Sequence, residues 1–120
     1  MRKIVVHESE IEGERRDPPR VSKILISEHT VGATKISMGV NTTEVGSRIP
    51  RHCHVDEEEA MFIIQGEGKL VIGDGEEEIP VRAGSAIYSP LGVEHTIINT
   101  GDVPIKLVWA YAPPLPAHRK

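Results

Sequence analysis

The sequence predicts an all-β domain, and three observations carry that expectation. Short runs rich in Val, Ile and Thr recur at 3–7, 21–28, 33–40, 58–65, 69–72, 76–81, 86–88, 94–99 and 105–111, many of them bounded by Gly or Pro. Within several of them apolar and polar residues alternate with a period of two, as in strands that bury one face. No stretch sustains the three-to-four spacing of an amphipathic helix, so no long helix is expected.

Taken in order, residues 3–7 read as a short opening strand. Residues 12–20 are charged and contain Pro18 and Pro19, so a surface loop or flexible arm is expected there. Two strands follow at 21–28 and 33–40 with Gly32 between them; in the second, Thr34, Ile36, Met38 and Val40 share one face, expected to look inward. Residues 58–65 and 69–72 flank Gly66-Glu67-Gly68, read as a hairpin-type turn, and Gly73-Asp74-Gly75 reads as a second tight turn. On the last strand Ile105, Leu107, Trp109 and Tyr111 form one face. The proline-rich residues 112–120 are expected to leave the body as an extended tail.

Composition narrows the function. The 120 residues suit a single domain with one core. Fourteen Lys and Arg against eighteen Asp and Glu give a formal charge of -4, which argues against nucleic acid, whose recognition asks for a basic patch. No apolar run approaches the roughly 18 residues of a membrane span, and the N-terminal segment turns acidic too soon for a signal peptide. Cys53 is the single cysteine, so no intramolecular disulfide can form and a cytoplasmic location is expected.

The chemistry concentrates in four residues. If residues 51–54 are extended, His52 and His54 project to one face. Glu59 follows five positions later, and His95 lies further along the chain. Imidazole and carboxylate are ligand types suited to Zn, Fe, Ni, Mn or Cu. These residues sit in a frame: Gly46, His52, His54, Glu59 and Gly66 in one stretch, Gly84, Pro90, Gly92, His95 and Asn99 in another. At this point the chain resembles the cupin family, because both of its sequence motifs occur complete and in order over residues 46–99. The resemblance implies a double-stranded β-helix, or jelly-roll, barrel with one divalent metal per chain (Fe, Mn, Ni or Zn) held by His52, His54, Glu59 and His95. It also implies pairing of two copies through outer strands, so a homodimer is expected; the outward face of Phe62 and Ile64 is a candidate contact.

Strand parity nominates the pocket wall. Met61 and Ile63 share the face of Glu59, Ile97 that of His95, and Arg48 that of His52 if the extended register holds back that far. Arg48 reads either as a carboxylate clamp at the cavity mouth or as a solvated rim residue. Trp109 reads as cavity wall or core, and Tyr88 as an orienting hydroxyl or a structural one. Cys53 alternates away from the histidines and is expected as a packed thiol; Glu57 and Glu58 read as a solvated edge, and Asn99 as a turn-holding residue. His7, His29 and His118 are expected at the surface. A metal-dependent enzyme on a small oxygenated or carboxylate-bearing molecule follows, with dioxygenase chemistry ranked first, isomerase or lyase chemistry next, and a non-catalytic binding or sensing module as the other class.

Overall fold

In the computed structural model, which describes residues 3–119, ten strands form two packed antiparallel sheets. The strands are β1 (Glu14–Arg16), β2 (Arg20–Ile26), β3 (Ser37–Thr43), β4 (Arg48–His52), β5 (Glu58–Gln65), β6 (Glu67–Ile72), β7 (Glu77–Arg82), β8 (Ala86–Ser89), β9 (His95–Asn99) and β10 (Ile105–Ala112). One sheet runs β1-β2-β3-β10-β5-β8 and the other β4-β9-β6-β7. The all-β expectation holds. Among the described residues the single α-helical segment is one turn, α1 (Glu28–Val31), set by a capping box between Ser27 and Thr30.

Inward side chains cross the larger sheet in rows. Ser37, Tyr111, Glu59 and Ser89 form the first; Gly39, Trp109, Met61 and Ile87 the second; Asn41, Leu107 and Ile63 the third; Thr43 and Ile105 the fourth. Ile63, Ile97, Ile105 and Leu107 are 0–1% exposed and form the centre of the core. Polar residues therefore collect in the first row, and apolar packing beyond it holds that row in place. Asn99 braces one end: its Nδ2 donates to the carbonyls of Thr43 and Val103, and its Oδ1 accepts from Gly101 N–H.

Several local expectations are corrected. Residues 3–7 form no strand; Ile4 and Val5 are each 75% exposed and find no strand to pair with. Residues 14–16, expected in a loop, form β1 and pair with β2. β3 begins at Ser37, and its inward face is Ser37, Gly39, Asn41 and Thr43 rather than the apolar set. Apolarity misleads there because the outer face is itself covered near Glu8, which Lys23 and Lys106 anchor by hydrogen bonds. Gly66 is a corner and not a hairpin: the chain leaves β5 in one sheet and enters β6 in the other. Its φ of +92 and the approach of Pro104 O to within 2.8 Å of a built Cβ explain the glycine. The 73–76 turn does close a hairpin, pairing Ile72 with Glu77. Residues 112–119 do not run off, and Lys120 lies outside the described residues: Pro114 is buried, and a 3-10 turn at Pro116–His118 folds back on the barrel.

Candidate metal centre

Three strand ends and one loop assemble the cluster. His52 ends β4 and pairs directly with His95 at the start of β9; Glu59 lies near the start of β5, between Tyr111 and Ser89 in its row. His54 comes from the loop after β4. Candidate ligand atoms of His52, His54 and Glu59 all lie within 4.8 Å of one another. His95 joins them: its Nε2 is 3.4 Å from Glu59 Oε1, and its ring centroid is 4.4 Å from that of His52.

Each ring is oriented from behind. The Pro50 carbonyl lies 2.7 Å from His52 Nδ1; a carbonyl can only accept, so Nδ1 carries the proton and Nε2 is left as a lone-pair donor. His95 Nδ1 sits 3.0 Å from Ser89 Oγ and 3.3 Å from Val93 O. Burial holds the His52 imidazole below its ordinary pKa, so it is neutral at pH 7 and able to ligate. Glu59 Oε1 is buried and accepts no hydrogen bond. A buried carboxylate oxygen without a partner is costly. Facing three imidazoles, it suits a divalent cation, and the four residues fit that group.

Around the cluster lies a cavity of about 330 Å³, large enough for a small ligand. Met61, Ile97 and Trp109 line it as strand parity suggests, while Ile63 lies in the core beneath. Two candidates are elsewhere. Arg48 lies outside the cavity, in a groove with Arg51 and Glu78, because a register irregularity between Ile49 and His52 reverses the parity carried back from His52. Tyr88 faces outward and hydrogen-bonds Glu58. Cys53 is exposed and not packed, since it lies on the open loop side.

Sequence reasoning missed six polar residues that line the cavity: Arg16, Arg20, Ser22, Asn41, Tyr111 and His118. Tyr111 continues the inward face of β10, and its Oη is 3.2 Å from His54 Nε2. Burial first, and then the Glu59 charge, push its pKa upward, so it keeps its proton. His118, expected at the surface, is 6% exposed, stacks on Trp109 at 5.1 Å and shares a 2.8 Å hydrogen bond with Ser37 Oγ. No periodicity in a proline-rich tail could have shown that.

Burial, followed by Arg16 and His29, holds His118 below the ordinary imidazole value. An imidazole whose folded pKa is lowered refuses protons that the unfolded chain accepts. Its contribution is thus whole above about pH 6.5 and declines as pH falls. His118→Gln should shrink the stability difference between pH 7.5 and pH 5.5, measured by urea unfolding of chelator-treated protein. Equal differences in both proteins would remove His118 as the cause.

Comparison with known proteins agrees with this geometry. A sequence model described as Cupin domain matches residues 39–111. The chain belongs to the cupin family. This cupin is 33% identical over 116 residues to Polyketide synthase CurC of Streptomyces cyaneus, covering 97% of this chain and 73% of that one. It is 33% identical over 63 residues to an oxalate-binding protein of Thermotoga maritima, covering 52% and 50%. Among solved structures, the polyketide cyclase RemF of Streptomyces resistomycificus superposes with a TM-score of 0.80 at 22% identity, over 97% of this cupin and 82% of that chain. A protein of Thermotoga maritima described as a predicted oxalate decarboxylase gives 0.81 at 24% identity, over 92% and 100%. Those two likenesses speak for the fold. Among the described residues no helix is long and apolar enough to cross a membrane.

Proposed function

We propose that this cupin is a metal-dependent enzyme that takes a small, oxygen-rich molecule into its cavity and rearranges it by enolisation, with cyclisation or elimination following. The observation that carries this reading is the buried, unpartnered Glu59 oxygen facing His52, His54 and His95 at the wall of the cavity. A divalent cation bound there supplies Lewis-acid polarisation of a chelated carbonyl. The chain's own residues do the rest. Tyr111 retains its proton beside His54 and can donate a hydrogen bond to a substrate oxygen on which negative charge develops. Met61, Ile97 and Trp109 exclude water and strengthen that interaction. Polyketides and oxalate, named in the relatives, share oxygens spaced to chelate one cation.

A second reading, dioxygenase chemistry on iron, is favoured by the three-histidine, one-carboxylate donor set itself. One experiment separates the two. Protein reconstituted in turn with Fe(II), Mn, Ni and Zn is incubated with β-diketones, hydroxy acids and phenolic polyketones, with and without oxygen. Products of unchanged mass or with one water lost, formed equally under nitrogen, are expected. Oxygen uptake matching product would establish the dioxygenase instead, and saturable binding without turnover by any metal form would make the protein a binding module.

Phe62 and Ile64 are 46% and 47% exposed on the outer face of β5, an apolar face suited to a second copy in a homodimer. Light scattering should return twice the 13.2 kDa of one chain; a monomer at micromolar concentration would refute the pairing. The exposed thiol of Cys53 fits a reducing cytoplasm.

A further inference from the structure

The cavity has a second polar end, opposite in sign to the carboxylate of Glu59. Arg16 on β1 and Arg20 on β2 are directly opposed across the first hairpin, and both line the cavity. Arg20 pairs in turn with Thr43, which places it at the fourth inward row, three register steps from the row of Glu59. Like charges facing each other on a strand pair are destabilising unless something compensates them. The compensation seen is partial. Arg16 meets the Glu14 carboxylate at 3.1 Å on the exposed side. The hydrogen bond seen for the Arg20 guanidinium goes to a neutral acceptor, Pro18 O, at 3.1 Å. Burial, and next the proximity of Arg16, lower the Arg20 pKa, and the nearby Asp17 carboxylate offsets them only in part.

Between the two ends lie flat surfaces. Trp109 is in the second row with His118 stacked on it, their planes 21° apart. The cavity thus runs from oxygen-seeking ligands, past a stacked aromatic pair, to a pair of guanidiniums. Guanidinium forks match carboxylate oxygens in two parallel hydrogen bonds.

We infer that Arg16 and Arg20 form the carboxylate subsite of this cavity, so that the ligand is an elongated, planar carboxylic acid whose oxygen-rich end lies toward the histidine cluster. The direction of the ligand rests on the metal-centre reading; the arginine subsite does not.

The test uses the full chain, zinc-loaded and chelator-stripped in parallel, with benzoate and its neutral analogue benzamide as probes. Trp109 is the single tryptophan, so its indole N–H resonance in a proton–nitrogen NMR titration reports the cavity alone. Benzoate should bind more tightly than benzamide, with or without zinc. Arg20→Gln should weaken benzoate by about ten- to a hundredfold, the loss of one charged hydrogen-bonding partner, and leave benzamide unchanged. Arg20→Lys, which keeps the charge but not the fork, should fall between, and Arg48→Gln, on the outer groove, should match the wild type. Benzoate that requires zinc and ignores both Arg20 substitutions would place the anion at the histidine cluster, overturning the subsite and sparing the metal reading. Arginine-dependent binding in a protein that takes up no zinc would do the reverse. Equal affinities for the two probes, or no binding of benzoate, would also overturn the subsite.

Discussion

Replacing His95 by alanine is expected to strip the protein of its metal. After dialysis against a zinc buffer and desalting, the wild type should carry about one zinc per chain by elemental analysis, and His95→Ala close to none. His95 is 1% exposed and is pinned between Ser89 and Val93, so its ring is held in place for ligation. Loss of a ligand's supporting partner alone typically weakens a metal site about 10- to 100-fold; loss of the ligand itself should exceed that. Ser89→Ala, which removes the hydroxyl 3.0 Å from His95 Nδ1, should fall in that smaller range. Affinity should also fall below about pH 6, where imidazoles take up the protons that compete with a cation. Wild-type metal content in His95→Ala would end the assignment.

The second large effect is expected from one methyl group. Gly39→Ala would set a Cβ 2.2 Å from Lys23 O and 2.3 Å from the Trp109 ring, both far inside van der Waals contact. Neither neighbour can yield cheaply. Lys23 O is backbone in β2, and Trp109 is 7% exposed, with His118 stacked on it and Tyr111 beside it. Overpacking of this kind costs about 1–3 kcal/mol, occasionally more. Denaturant unfolding should show that loss, and the Trp109 indole resonance should move in whatever fraction remains folded. A variant of unchanged stability with an unshifted indole signal would mean that the cavity wall is softer than its geometry implies.

How much of this was legible in the chain depends on the range of the interaction. His52, His54, Glu59 and His95 could be named from the chain because they occupy their places in the two cupin motifs, where a cluster needs a particular side chain at each place and a glycine or proline at each bend. Met61, Ile97 and Trp109 followed from alternation, which is a property of one strand and needs no knowledge of its partner. Arg48 failed for the same reason in reverse. A register irregularity in β4 is decided by how that strand meets β9, and one displaced residue turns every side chain before it to the other face.

The sequence by itself determined the fold class and the ligand-type cluster, since these rest on local periodicity and on a few chemically demanding positions; the first strands it misplaced. Tertiary structure alone decided what shares the cavity with that cluster. Arg16 and Arg20 enter it because a charged loop pairs as a hairpin on the sheet edge. Tyr111 reaches it because β10 lies between β3 and β5, beside Glu59. His118 arrives because a proline-rich tail folds back and buries against Trp109. Their positions are set by which surfaces remain to be covered once the sheets have packed, and that quantity does not exist until the chain has folded.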